Sequence, residues 1–301
     1  MTITPNKSTA LYANEVGKIV LHDLPAPEPQ EGEVLIKVLY SGVNLSDIRT
    51  LQFFGLRNYA LGGEFCGRVL ETPNLADTPF KAGDLIAGVV IGGINRASRH
   101  ATHQEYISIP ASWAFKVPEN VPPSAAAGLG IVVIASAKRH EFLKQLGATQ
   151  CFDYHDENVV DKFKTALRET KGTIWGFDAF GSVANPVSQD VLASVIPPHD
   201  KVRPATVLLS PHDGFEITMG GRNFDIDFDL PDGTRLFFPK DLEAADRMWR
   251  AVRWVLEHYG TENVPTPARV AEGSGKDAIQ ELYKMSEMGN FGKVLLKHPL
   301  K

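Results

Sequence analysis

The pattern of apolar and polar positions changes character once along the chain. Up to about residue 120, apolar positions fall in short runs separated by Pro and Gly: 33–40 (EVLIKVLY), 67–70 and 84–91 (DLIAGVVI). Runs of this length and punctuation predict the strands of an antiparallel barrel or sandwich, with Lys81-Ala82-Gly83-Asp84 as a turn. After that the grammar becomes β-α-β. Residues 131–136 (IVVIAS) read as a short apolar strand, 139–146 as a helix closed by Gly147, and 150–153 as the next strand. A helix near 159–168 and strands at 174–178 and 205–209 continue the alternation and predict a parallel, Rossmann-like layer. Two alternating runs at 223–238, joined by Pro231-Asp232-Gly233, predict a hairpin. Met248, Trp249, Val252, Val255 and Leu256 mark an amphipathic helix over 244–259. A helix at 278–288, ended by Gly289, and a strand at 293–297 (KVLLK) close the chain.

Length and composition narrow the class. At 301 residues the chain suits two domains better than one core, and 43% hydrophobic with 22% charged residues is an ordinary globular mix. The 31 basic and 36 acidic side chains leave a net charge of -5, which predicts small-molecule or protein partners rather than nucleic acid or an anionic membrane. Cys66 and Cys151 are too few for a disulfide framework, so a reducing, cytoplasmic compartment is expected. The apolar stretch 125–137 is shorter than the ~20 residues of a membrane span, and residues 1–20 carry no export-signal pattern.

Several segments, in order, resemble the medium-chain dehydrogenase/reductase superfamily: 32–37 (GEVLIK), 41–47 (SGVNLSD), 62–67 (GGEFCG), 80–87 (FKAGDLIA), 104–118 (QEYISIPASWAFKVP), 144–154 (KQLGATQCFDY) and 292–297. The wording SAKRH, then FLKQLGA and FDY, is similar to zinc-free enoyl reductases that act in trans in fungal polyketide biosynthesis. The resemblance implies an α/β plus β fold. A GroES-like barrel catalytic domain would span 1–127, completed by about 266–301, and an incomplete Rossmann-like parallel-sheet nucleotide domain would span 128–265. Related alcohol dehydrogenases place zinc-binding Cys and His where this chain has Asn44 and Gly63, so no zinc is expected. His100 and His103 have no third ligand nearby in sequence and are expected to pack or face solvent.

For the cofactor, the resemblance implies NADPH, with Ser136 and Lys138 on its extra phosphate and Tyr154 beside the adenosine. Arg139 joins them on charge, because cationic side chains after the second strand suit a 2′-phosphate. The resemblance also places Asn44 and Asp47 toward the nicotinamide as weak catalytic candidates, against a plain Asx turn that caps a helix. Asp178 stands at a strand's carboxyl end, either in a ligand crevice or as a helix cap. No proton donor is identified beyond Tyr40 and Tyr59 as accessible phenols. Asp225, Asp227 and Asp229 share one strand face and are expected to be solvated.

One departure is large. A dinucleotide domain opens with a strand, a glycine-rich turn and a helix whose N–H groups hold the pyrophosphate. Here Gly128-Leu129-Gly130 runs directly into the strand at 131, with Val133 at the third glycine position. About forty residues are absent by comparison with the family, and the sheet is expected to seal by pairing the 131 strand with the 174 strand. The leading expectation is an NADPH-dependent reductase of an activated C=C bond, acting on a small-molecule or carrier-bound polyketide with a polyketide synthase as partner. The alternatives are a cofactor-free relative that binds a polyketide or shapes a non-redox cyclisation, or an inactive truncated gene product.

Overall fold

The computed structural model describes residues 6–90, 95–119, 121, 137–145, 150–153, 155–169, 174–178, 181, 187–195, 202–208, 214–218, 222–260, 267–286 and 292–300. The chain divides into two compact units, Met1–Gly130 with Gly221–Lys301, and Ile131–Gly220.

In the first unit the apolar run at 33–40 extends into an eleven-residue strand, β3 (Glu33–Val43). Its continuous hydrophobicity follows from being paired on both edges, with Val34, Leu35, Ile36 and Val38 all buried. One edge carries β5 (Glu64–Val69), which pairs onward with β6 (Leu85–Val89), and β6 with β8 (Ala114–Lys116). The other edge is shared by two strands in succession. β7 (Tyr106–Pro110) covers Glu33 to Lys37, and β15 (Lys293–Lys297) covers Tyr40 to Val43, with β14 (Ala268–Ala271) parallel beyond it. At the handover Val38 N–H donates to Glu105 and His298 N–H donates to Leu39. Residues 103–105 and 298 therefore meet beside the middle of β3.

β1 (Lys7–Ala13) and β2 (Ile19–Pro25) form a second antiparallel pair, with β4 (Tyr59–Ala60) on the free edge of β1. Leu11, Val43, Ile48, Leu51, Leu61, Leu282 and Leu296 form the core that joins this pair to α1 (Leu45–Phe54) and a helix at Gly275–Ser286. Val34, Ile36, Phe65, Ile86, Ile107 and Trp113 form a second core. Full burial of side chains of this size contributes about 1.5–3 kcal/mol each, so these cores set the frame on which polar groups are placed.

The hairpin is present as β12 (Ile226–Asp229) and β13 (Arg235–Phe238), antiparallel, with Gly233 at φ 85° in the turn. Asp225, Asp227 and Asp229 are exposed while Ile226 is buried, the alternation that the sequence predicts. Asp241 caps the helix Leu242–Glu257 by accepting from Ala244 N–H at 2.8 Å. Residues 222–260 cluster with the first unit, whereas the sequence assigns 128–265 to the nucleotide domain. The cause is aromatic packing: Phe224 lies 5.5 Å from Trp113, Trp249 lies 5.8 Å from Phe115, and Leu256 joins Cys66, Ala87 and Leu295.

In the second unit β9 (Ile174–Asp178), β10 (Val202–Thr206) and β11 (Glu216–Ile217) are parallel in the order β11-β10-β9, with Ser188–Val195 as the crossover helix. This is the parallel layer that the β-α-β grammar predicts, and the fold as a whole is a two-domain α/β fold. Residues 150–153 are not a strand. Asp153 instead accepts from His155 N–H at 3.0 Å, an Asx turn leading toward the helix Val159–Glu169, and Phe152 packs on Phe163. The expected strand at 131–136, its pairing with the 174 strand, Gly147, Gly289 and the glycine segment 128–130 lie outside the described residues. Among the described residues no helix is long and apolar enough to cross a membrane.

Candidate functional site

The end of β3 and the start of α1 bring together groups far apart in sequence. Asn44 is the N-cap residue of α1, and Asp47 at the third helical position accepts its backbone N–H at 2.7 Å. This is the local turn that the sequence allows. The Asn44 side chain also reaches across the strands: Nδ2 donates to Gly42 O at 3.3 Å and Glu64 Oε1 at 3.1 Å, and Oδ1 accepts from Lys293 Nζ at 2.7 Å. Lys293 also pairs with Glu64 Oε2 at 2.7 Å. Strand register explains the meeting, since Gly42 faces Glu64 on β5 and Val43 faces Val294 on β15. Half-buried charges of opposite sign held this way interact more strongly than a pair in open solvent.

Behind this cluster lies a dry line of polar groups. His103 Nε2 is 3.2 Å from Asp47 Oδ2, His103 Nδ1 is 2.8 Å from Ser41 Oγ, and Ser41 Oγ is 2.8 Å from His298 Nε2. Ser41 and His103 are fully buried, and Asp47 and His298 nearly so. Burial pushes the Asp47 carboxyl up, but His103, the Asn44 N–H and Lys293 outweigh it and hold Asp47 below the ordinary carboxylate value. Burial, with His103 adding to it, pushes the His298 imidazole down to about 3.

This depression has a measurable consequence. Between the ordinary 6.5 and about 3, unfolded His298 binds a proton that the folded chain refuses. Stability is therefore complete above the unfolded value and falls with pH through that window, by about 1.4 kcal/mol per pH unit where one proton is taken up. Urea titrations at several pH values are expected to show that slope in the wild type and to lose it in His298→Gln.

His100 belongs to a different network. Glu33 accepts from His100 Nε2 at 3.0 Å, Arg99 Nη2 at 2.9 Å, Ser108 Oγ at 2.8 Å and Gln30 N–H at 3.1 Å. Burial opposes its ionisation, yet these donors leave the carboxyl far below its usual range. His100 and His103 are both buried and hydrogen-bonded, His100 to Glu33 and His103 to Asp47 and Ser41, and no group of three or more His, Cys, Asp or Glu among the described residues is placed to hold a metal ion.

Tyr59, one of the two phenols, receives a short hydrogen bond from Arg96 Nη1, and the Arg96 guanidinium lies over its ring at 4.7 Å. Burial raises the phenol despite that cation. Tyr40 is half-buried on β3.

The cofactor candidates lie in the second unit. Lys138 is exposed and Arg139 half-buried in the turn Ala137–Arg139 that leads into the helix His140–Gln145, while Ser136 and Tyr154 lie outside the described residues. Lys138 and Arg139 thus stand together, apart from Asn44 and Asp47 in the other unit. Asp178, at the carboxyl end of β9, is buried and accepts from Ser188 Oγ at 2.7 Å, Thr206 Oγ1 at 3.1 Å and Gly181 N–H at 3.1 Å. Its role there is to tie β9 to β10 and to the crossover helix. Sequence reasoning missed Ser41, Glu64, Lys293 and His298, and assigned His103 no chemistry.

Residues 30–119 match the alcohol dehydrogenase GroES-like domain family. The chain is similar to the trans-enoyl reductase apdC of Emericella nidulans, 27% identical over 205 residues that cover 58% of this chain and 61% of that protein. It is also similar to the enoyl reductase cheB of Chaetomium globosum, 32% identical over 136 residues, 44% of this chain and 36% of that protein. It thus spans between about a third and three-fifths of the length of these curated relatives. Among solved structures, mycobacterial Rv1454c complexed with NADPH matches with a TM-score of 0.63 at 19% identity, over 97% of this chain and 100% of that one. Residues 30–119 thus carry a GroES-like domain within a two-domain α/β fold, and the chain resembles fungal enoyl reductases in sequence.

Proposed function

We propose that the chain is an NADPH-dependent reductase of an activated carbon–carbon double bond, with a polyketide-type enoyl thioester as substrate. The observation that carries this reading is the Asn44 side chain, which Lys293 and Glu64 hold in a preorganised polar cluster. When bound, the nicotinamide supplies a hydride for the β-carbon. Lys138 and Arg139, adjacent cations at the opening of a helix, fit the 2′-phosphate of NADPH, and Ser136 and Tyr154 join them by resemblance.

Lys293 has the chemistry to polarise a thioester carbonyl. It donates one N–H to Asn44 Oδ1 and lies 2.7 Å from Glu64 Oε2 as an ion pair, and an ammonium has three N–H groups. Preorganised donors of this kind stabilise the negative charge that develops on the oxygen as hydride arrives. Lys293→Met is expected to lower kcat/KM for enoyl reduction by about a hundredfold, the usual scale for one such donor. The check is steady-state turnover together with a melting curve, which separates lost chemistry from the destabilisation expected when the largely buried Glu64 carboxylate loses its cation.

Titration with NADPH, followed by nicotinamide fluorescence, tests the reading. Saturable binding supports it, and no binding at millimolar cofactor overturns it. The departure from a glycine-rich loop at 128–133 favours one second reading, a polyketide-binding relative that works without cofactor. Equal conversion of a candidate polyketide with and without NADPH would support that alternative, and a strict NADPH requirement would end it.

A further inference from the structure

The line Asp47, His103, Ser41, His298 accepts two assignments of its protons, and both keep all three hydrogen bonds. In the first, His103 Nε2–H donates to the Asp47 carboxylate, Ser41 O–H donates to His103 Nδ1, and His298 Nε2–H donates to Ser41 Oγ. In the second, His103 carries two N–H groups, its Nδ1–H donates to Ser41 Oγ, Ser41 O–H donates to His298 Nε2, and His298 holds its one proton on Nδ1. The two differ by one proton.

Passing from one to the other needs no side chain of the line to rotate. When a solvent fluctuation brings a proton to the buried His298 Nδ1, the Nε2 proton of His298 passes to Ser41 Oγ, and the Ser41 hydroxyl proton passes to His103 Nδ1. Each group along the way gains one bond to hydrogen and loses one, except His103, which ends as the cation beside the Asp47 carboxylate. His298 Nδ1 is the nitrogen this scheme needs at its outer end, and it is a buried ring nitrogen with no hydrogen-bond partner among the described residues. A buried polar atom left unpaired costs about 1–3 kcal/mol, so its presence calls for an explanation.

We infer that Ser41, His103 and His298 form a proton wire that loads a proton from His298 onto the His103–Asp47 pair. The two histidines reach Ser41 because β7 and β15 exchange on the edge of β3 at Leu39, which puts His103, three residues ahead of β7, and His298, directly after β15, against the same hydroxyl. His298 stays uncharged in both assignments, in keeping with the low value that burial imposes on it. The charged and titratable groups facing the wire are Asp47 from α1, Lys293 from β15 with Glu64 from β5 as its partner, and Tyr59 on β4 with Arg96 beside it. Lys293 and the histidine cation both favour an ionised Asp47, so the carboxylate holds the arriving charge on His103.

The wire itself depends only on this unit. Its use as a proton supply for the reduction rests on the reading of the Asn44 and Lys293 cluster as the reaction site. In that reading Ser41, His103 and His298 are positioning residues that act through Asp47.

The test is nitrogen NMR of the full chain labelled at its histidines, recorded against pH without cofactor or substrate, so that it stands apart from any assay of reduction. As pH falls within the folded range, His103 is expected to gain its second N–H, and the His298 proton to move from Nε2 to Nδ1 at the same midpoint. Ser41→Ala is expected to abolish the coincidence and Ser41→Thr to restore it. His298 keeping one tautomer while His103 titrates would overturn the inference. So would a His103 that takes up no proton, a His298 that charges itself, or coincidence that persists in Ser41→Ala. The first three of these outcomes are readable in the wild type even if the alanine variant does not fold.

Discussion

Asp47→Ala is expected to destabilise the first unit by several kcal/mol, since each buried donor left without its acceptor costs about 1–3 kcal/mol. Two losses combine. The His103 imidazole, fully buried, is left without the acceptor at 3.2 Å, and the Asn44 N–H loses its cap acceptor at 2.7 Å. Asp47→Asn keeps an acceptor oxygen while removing the charge, so it is expected to recover roughly half of that loss, since a neutral hydrogen bond is worth about half a charge-assisted one. Urea unfolding of both variants at neutral pH measures the difference. Because Asp47 is held below the ordinary carboxylate value, its contribution is present at neutral pH and disappears as pH falls through its folded value. An alanine variant as stable as wild type would mean that the pair does not form.

Gly62→Ala is the second large effect. Gly62 sits at φ 102°, a conformation that L side chains rarely adopt, and an added Cβ would lie 2.4 Å from His103 N and 2.5 Å from Thr102 Oγ1. The residue it would strike is the one that organises the buried line, and the His103 N–H is itself tied to Leu61 O at 3.0 Å. Backbone strain at such a position alone costs on the order of 1–3 kcal/mol, and a clash against main chain cannot be relieved by rotating a side chain. A total of about 3 kcal/mol or more is expected, read as a lowered denaturant midpoint. Gly63→Ala is the control. A Cβ there meets nothing within 4 Å, and a change within about 0.5 kcal/mol is expected.

The strands, the hairpin and the closing β15 are legible because each reports a local period: continuous apolar residues where a strand is paired on both sides, alternation where one face meets water. The 150–153 segment was misjudged because Phe152 reads as strand while Asp153 spends its side chain on a local turn. The destination of 222–260 is not in its own pattern either. An amphipathic helix and a hairpin show an apolar face without naming what covers it, and Trp113 and Phe115, more than a hundred residues earlier, decide that.

The site divides in the same way. Asn44 and Asp47 were visible through resemblance. Their partners were not, because Ser41 and His298 are 257 residues apart and His103 is 62 from Ser41. A usable signal did exist, since Ser41 stands between Val38 and Val43 in a strand whose neighbours are buried, and a buried hydroxyl requires a partner.

The proposed delivery of hydride from NADPH to an activated double bond is tested most directly by NADPH carrying deuterium at the transferred position, incubated with the protein and an α,β-unsaturated thioester. Mass spectrometry of the product is expected to show the saturated thioester with one deuterium at the β-carbon and a proton from water at the α-carbon, and Lys293→Met is expected to form it about a hundredfold more slowly. Unchanged thioester after prolonged incubation, or a saturated product without deuterium, would contradict the account.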